Sequence, residues 1–287
     1  MDKIKNWVKL FRIKHYIKNI LIFVPLFFSK QVSSENITMA ILGFICFSIG
    51  ASIVYIINDI NDIENDKKHS TKRNRPLPSG KISITEAKIS IFLLLIIVLS
   101  INMVILRNSA SFLILVFYII INIAYSTKLK SIPIMDVCIL AIGYLLRIYY
   151  GANLFGIDIS GWLYLTIMSG SFFMGLGKRR GELNKKDSND TRKVLKYYNA
   201  QFLDKNMYVS LGTCIAFYSM WCFEASKIYE NEKLLWTVAI VWIIFMRYSL
   251  IIEGTSDGDP INVLLDDKTL MLLSILYIIM ITIFIYF

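Results

Sequence analysis

YIINDINDIENDKKHSTKRNRPLPSG, residues 55–80, is the stretch where a long apolar run gives way to a basic polar loop. Its first half carries Asn58, Asp59, Asp62 and Asp66 in the spacing N-D-x-x-D-x-x-x-D. On a helix, positions i, i+3 and i+7 return to nearly one face. Asp59, Asp62 and Asp66 are therefore expected to form one acidic stripe about 10 Å long at helical rise. Carboxylates crowded in this way repel one another unless a positive charge sits among them. A hard divalent cation fills that role, and Mg²⁺ commonly joins a few carboxylates to substrate phosphates. Magnesium is thus the expected cofactor, with manganese as its substitute. Lys67, Lys68, Lys72, Arg73 and Arg75 follow at once and suit phosphate oxygens. Charge runs at the mouth of a membrane helix are ordinarily solvated helix ends. Here the acidic stripe leads into a basic run and then a brake at Pro76, Pro78 and Gly80, an order that favours a diphosphate–metal site.

Outward from this stretch the chain is strongly apolar. Of its 287 residues 56% are hydrophobic and 18% charged, too little polar surface for a soluble protein of this size. Apolar runs recur at lengths that cross a bilayer, about 20 residues each. Nine spans are expected: Ile20 to Ser29, Ile37 to Ile57, Ile84 to Leu106, Ser111 to Tyr125, Ile134 to Phe155, Trp162 to Gly177, Met207 to Ala225, Leu234 to Ile252 and Leu270 to Phe287. The fold expected is an all-α polytopic membrane bundle forming a single domain over residues 1–287. The first residues show no small-residue cleavage site, so no removable signal peptide is expected.

Lys and Arg placement sets the orientation. With the N-terminus inside, the inner side collects Lys3, Lys5, Lys9, Arg12, Lys14 and Lys18, then Lys67 to Lys81, Lys128 and Lys130, the run from Lys178 to Lys205 (which includes Lys185, Lys186 and Arg192), and Lys268. The outer side keeps Lys30, Arg107, Lys227 and Lys233. This asymmetry follows the positive-inside rule and places the chemistry-bearing loops on the cytoplasmic side of the cell membrane. It also accounts for the net charge of +10 without a nucleic-acid partner. Cys46, Cys138, Cys214 and Cys222 all lie in apolar runs with no C-x-x-C pair, which excludes the usual zinc and redox patterns. His15 and His69 are far apart and suggest no transition-metal site.

Other stretches add basic groups. YSTKLKSIPIMD brings Lys128 and Lys130 towards an anion and places Asp136 at a helix start, where a carboxylate is favoured on ordinary grounds as well. GLGKRRGEL brings Lys178, Arg179 and Arg180 after Gly175 and Gly177, with Glu182 one helical turn from Lys178 or Arg179. An Arg fork suits bidentate phosphate binding, and Arg180 reads as a topology charge. Arg147 lies about 20 Å along its span, too deep for easy snorkelling, and is expected at a cavity wall or a partner. Arg247 is expected to snorkel. Asp257, Asp259, Asp266 and Asp267 are numerous enough for a second metal, but their irregular spacing favours solvation.

N-D-x-x-D-x-x-x-D followed by T-K-R-x-R-P-x-x-S-G resembles the first signature of the UbiA-type intramembrane prenyltransferase superfamily. The resemblance implies a nine-helix bundle whose central cavity opens to the cytoplasm and laterally to lipid. Within the superfamily the chain is most similar to the decaprenyl-phosphate phosphoribosyltransferase branch. The stretches RIKHYIKNILIFVPLFFS, AYSTKLKSIPIMDVCILAIGYLLRIYYGA, GLGKRRGEL and GDPINVLLDD carry that likeness. Ordinary prenyltransferases have a second Asp-rich motif after span six. Here Asp187 and Asp190 follow a basic start, which fits a donor carrying an extra phosphate.

The resemblance implies transfer of 5-phosphoribose from phosphoribosyl diphosphate (PRPP) to a polyprenyl phosphate. Asp59, Asp62 and Asp66, assisted by Asn58, would hold the metal. Lys178 and Arg179 would hold a donor phosphate, with Lys72, Arg73 and Arg75 as further contacts. Lys18, Asn19 and Arg147 would guide the lipid phosphate. Lys128, Asp136 and Glu182 complete the expected substrate site. Two rivals stay open. One is prenyl transfer from a polyprenyl diphosphate to an aromatic or polar acceptor. The other is a non-catalytic lipid-phosphate binder. Exposed helix faces permit a homo-oligomer.

Overall fold

The computed structural model describes residues 2–68, 71–184, 193–254 and 258–287. Of the positions singled out above, His69, Lys185, Lys186, Asp187, Asp190, Arg192 and Asp257 lie outside the described residues. The regular structure of the described residues is entirely helical, with no strand. In order the helices are α1 (Asp2–Phe11), α2 (Val24–Ser29), α3 (Ser34–Asn61), α4 (Ile63–Lys68), α5 (Ile84–Ser100), α6 (Ser109–Thr127), α7 (Met135–Phe155), α8 (Gly161–Asn184), α9 (Ala200–Ile228), α10 (Trp236–Glu253), α11 (Pro260–Asp266) and α12 (Lys268–Tyr286).

Local chemistry fixes the helix ends. Ser33 accepts from the Asn36 N–H to start α3. Ser83 and Glu86 form a reciprocal capping box at α5, which satisfies two donors that a helix start leaves open. Asn108, Asn199 and Asp267 cap α6, α9 and α12 with side-chain oxygens. α5 runs on through a π-helical turn, Ile101–Leu106.

Among the described residues, six helices are long and apolar enough to cross a membrane: Ser34–Asn61, Ile84–Leu106, Ser109–Thr127, Met135–Phe155, Glu232–Glu253 and Lys268–Tyr286. They correspond to the second to fifth, eighth and ninth expected spans. The sixth and seventh coincide with α8 and α9, of 24 and 29 residues, which are not among those six. The first expected span is corrected. Ile13–Phe23 winds as a 3₁₀ helix, and Pro25 sits at the start of the six-residue α2. Proline lacks the N–H that a continuing helix needs, so a new helix begins there.

Contacts divide the chain into two compact units, one of Met1–Ile139 with Leu146–Asp158, the other of Leu140–Leu145 with Ile159–Phe287. In the first unit α3 packs against α5 and α6. Its core is centred on Phe47, whose ring centroid lies 4.6 Å from that of Tyr118 and 5.2 Å from that of Tyr150. Close approach is set by Gly151, because a Cβ there would meet the Ile22 carbonyl. A satellite cluster of Leu10, Ile56, Ile63, Leu77, Ile82 and Ala87 lies where α3 ends and α5 begins. In the second unit α8 and α9 form the main pair, with Phe173 packed edge-on against Phe245.

Candidate active site

α3 ends at Asn61, and Asp62 adopts φ −95° and ψ 4°, outside helical geometry. The chain restarts as α4, and two backbone bonds splint the break: Asp62 N–H to the Asn58 carbonyl at 3.0 Å and Asp66 N–H to the Asp62 carbonyl at 2.8 Å. This break changes the expected acidic stripe. Asp59 and Asp66 are buried, 2% and 4% exposed, and both accept from Nη1 of Arg75, at 3.4 and 2.7 Å. Asp62 turns elsewhere and takes Lys130 Nζ on both carboxylate oxygens, at 2.9 and 3.1 Å. Three carboxylates on one face are therefore corrected to a pair and a separate ion pair. Among the described residues no three or more His, Cys, Asp or Glu side chains gather as a metal-ligand group.

Asp59 has a second cation. Arg12 donates to it from Nη2, and the Arg12 guanidinium lies 4.7 Å from the centroid of the Tyr55 ring. Arg12 reaches this position through a left-handed backbone, φ 52° and ψ 46°, which closes α1 and turns the chain into the 3₁₀ segment. Two buried carboxylates thus face two guanidinium groups. Such mutual neutralisation is what low-dielectric burial of charge demands. Glu64 stays outside the network. It is exposed and bonded to Lys67 at 2.8 Å, and that bond holds its carboxyl below the usual range.

Of the basic residues expected here, Lys72 lies in a 3₁₀ turn, Lys72–Asn74, and is half-buried, while Arg73 is exposed. Lys128 is exposed, and its neighbour Lys130 makes the contact to Asp62. Asp136 is fully buried in the first turn of α7. Asn58 and Lys18 are half-buried. Arg147 is 5% exposed. Its Nε donates to Asn19 Oδ1 at 2.7 Å and its Nη2 to the Tyr118 hydroxyl at 3.2 Å. The guanidinium also lies 5.2 and 5.0 Å from the Phe47 and Tyr118 ring centroids. The depth argument for a partner holds, and Asn19, Tyr118 and Phe47 are among the groups it meets.

The basic cluster of the second unit is a set of ion pairs. Arg179 is wholly buried and donates to Glu182 one turn ahead, so the expectation of an open phosphate fork is corrected: its guanidinium has no solvent access. Lys178 Nζ bonds Asp259 Oδ2 at 3.1 Å, and Arg180 Nε bonds Asp204 Oδ1 at 2.7 Å. Gly258, at φ +69°, brings its strand of chain against the Gly177 carbonyl and Lys178. Arg247 forks onto Asp267 at 3.2 and 2.7 Å. The Arg247 bond, aided by the Leu270 N–H, holds the Asp267 carboxyl below its usual range. Asp259 and Asp267 are thus paired rather than solvated, and Arg247 is paired rather than snorkelling.

Residues 20–276 match the profile of the UbiA prenyltransferase family. The chain belongs to this family. It is 27% identical over 286 residues to the decaprenyl-phosphate phosphoribosyltransferase of Corynebacterium glutamicum, covering 97% of this chain and 86% of that protein. With the decaprenyl-phosphate phosphoribosyltransferase of Mycolicibacterium smegmatis it shares 29% identity over 290 residues, covering 96% and 91%. The fold is similar to that of a UbiA homolog from Archaeoglobus fulgidus bound to DMAPP and Mg²⁺, with a TM-score of 0.70, 19% identity and 96% of each chain covered. As a UbiA family member with six apolar helices of spanning length among its described residues, the chain is an integral membrane protein.

The geometry fits a divalent cation in a restricted way. Asp59 and Asp66 converge on one nitrogen of Arg75, so a cation at that point meets two carboxylates. Mg²⁺ bound by one or two carboxylates and completed by substrate phosphates is a usual arrangement. Asp62, held by Lys130, does not join that pair. Arg12 is the site residue that motif spacing missed, and Lys130, expected only to face an anion, has Asp62 as a partner that spacing did not reveal. They reach the acidic pair and Asp62 from 47 and 68 residues away, a separation no local pattern encodes.

Proposed function

We propose that the chain transfers 5-phosphoribose from PRPP to a polyprenyl phosphate and releases diphosphate. The observation that carries this reading is the near-full-length similarity to decaprenyl-phosphate phosphoribosyltransferases. The site is chemically suited to the step. The bond from ribose C1 to the diphosphate oxygen breaks and a bond from C1 to a lipid phosphate oxygen forms. The attacking oxygen is already ionised, so no general base is needed. A bound Mg²⁺ or Mn²⁺ would neutralise the leaving diphosphate. Asp59 and Asp66 would hold that cation, with Asn58 in the same helical turn. Arg75, Lys72 and Arg73 would meet phosphate oxygens, and Arg12 and Lys130 would keep Asp59 and Asp62 oriented. Positioning and charge stabilisation would supply most of the acceleration.

For the lipid phosphate we assign Lys18, with Arg147 and Asn19 as its buried support, and Lys128 as a more exposed contact. Asp136 would anchor the start of α7. In the second unit Lys178 would take a donor phosphate, while Arg179 and Glu182 brace the helix turn that presents it. The Lys and Arg asymmetry supports a cell-membrane location with this chemistry on the cytoplasmic side.

A second reading, prenyl transfer from a prenyl diphosphate, is favoured by the Archaeoglobus fulgidus homolog, whose structure holds DMAPP and Mg²⁺. Diphosphate release by purified protein, supplied with polyprenyl phosphate and PRPP or with a prenyl diphosphate and an acceptor, separates the two. Release from PRPP alone supports ribosyl transfer. Release from the prenyl diphosphate alone supports the second reading. Lipid-phosphate binding with no release from either donor would reduce the chain to a binder.

A further inference from the structure

Residues 2–11 form a helix whose sides differ sharply. At about 100° per residue, Ile4 and Val8 fall side by side. Trp7, Leu10 and Phe11 lie on one flank of them, and Lys5 and Lys9 on the other. The first flank is satisfied by the protein. Leu10 is fully buried in the satellite cluster, with Trp7 and Phe11 packed against it. Lys3 pairs with Glu86 at 3.4 Å, tying the helix to the start of α5. These two attachments fix the roll of α1 about its axis. That roll leaves Ile4 71% and Val8 43% exposed, with Lys5 and Lys9 exposed beside them.

Where α1 sits identifies what covers this face. Leu10 packs with Ile56 of α3 and Ala87 of α5, at the ends of two membrane-spanning helices. A helix there lies at the border between acyl chains and headgroups. An apolar strip flanked by lysines is the pattern of helices that lie in that border, and the lysines favour anionic lipid.

We propose that α1 is a lipid-docking helix: Ile4 and Val8 enter the acyl boundary, and Lys5 and Lys9 bind the phosphates of anionic phospholipids. Arg12 follows α1 directly and donates to Asp59, so docking also steadies a residue of the acidic pair. The inference is independent of which group the enzyme transfers.

The test uses full-length protein in nanodiscs of phosphatidylcholine, with or without phosphatidylglycerol. Ile4→Cys or Val8→Cys carries a nitroxide in a Cys138→Ala background, because the remaining cysteines are buried. Collision with oxygen, which concentrates in the bilayer, is compared with collision with a water-soluble nickel chelate. At both positions oxygen is expected to dominate, more strongly with phosphatidylglycerol present. Each lysine near an anionic surface is worth about fivefold in the seated-to-unseated ratio. Lys5→Gln with Lys9→Gln should therefore lower that ratio about 25-fold and return the signal to the phosphatidylcholine level. Dominant nickel collision in anionic nanodiscs would overturn the proposal. So would low collision with both reagents, which means protein covers the face, or a signal indifferent to the two lysines.

Discussion

Arg75→Gln should tighten divalent-metal binding while slowing turnover. The Arg75 side chain is 32% exposed, and its Nη1 serves Asp59 and Asp66, whose side chains are 3% and 6% exposed. A guanidinium and a metal ion therefore compete for the same oxygens. Breaking a buried ion pair costs about 3–5 kcal/mol. Solvent reaches Arg75, so screening reduces the competing attraction to about 1–2 kcal/mol. Removing it should improve metal affinity about 5- to 30-fold. Glutamine is shorter but keeps the aliphatic stem and a neutral donor, which limits collapse of the loop. The assay is Mn²⁺ titration of purified full-length protein without substrate, read by loss of the free-ion paramagnetic signal. Asp66→Asn is the opposing control and should weaken binding. Turnover of Arg75→Gln should fall at saturating metal, because a phosphate contact is lost. Metal affinity that is unchanged or weaker in Arg75→Gln would refute the idea that Asp59 and Asp66 converge on a cation position.

Other predictions follow from packing and charge. Gly151→Ala places a methyl against the backbone carbonyl of Ile22, which cannot rotate away. It should cost about 3 kcal/mol, whereas Gly161→Ala meets nothing within 4 Å and should leave the melting temperature level or slightly raised; equal effects would contradict the close approach. Arg147→Met removes the donor to Asn19 and Tyr118 and should cost about 2 kcal/mol, or roughly 4–8 °C of melting temperature. A melt identical to wild type would show that Arg147 is not a packing support. Asp267 has a carboxyl held below its ordinary value of 3.8 by Arg247, so its contribution is present above that value and disappears as pH falls through the lowered one. The melting difference between wild type and Asp267→Asn should be constant from neutral pH to the onset of that range and vanish below it; a difference that persists in acid would contradict the pairing.

Much of the fold was legible because a bilayer imposes its length on sequence. Ile84 to Leu106 and Leu270 to Phe287 read as spans from apolar run length alone. The first span misled because Pro25 splits the apolar run that follows Lys18. The acidic residues themselves were legible, but their arrangement was not. Helical spacing assumes that the helix continues, and at Asp62 it breaks, which sends one carboxylate to Lys130 and leaves the other two to Arg75. Arg179 shows the same limit from the other side. A run of three basic residues reads as a solvated or phosphate-facing cluster, yet α8 turns its middle member inward, where Glu182 answers it. Which partner meets a charge is set by tertiary packing, and local periodicity carries little of that information.

The most direct test supplies PRPP labelled in the ribose to full-length protein in nanodiscs with a polyprenyl phosphate and Mg²⁺, and follows label into the lipid extract. Wild type should move the label, and Asp66→Asn should move at least about a hundredfold less while remaining folded, its melt lowered by no more than the lost Arg75 ion pair accounts for. Label that stays in the aqueous phase with wild-type protein, or transfer undiminished in Asp66→Asn, would contradict the account.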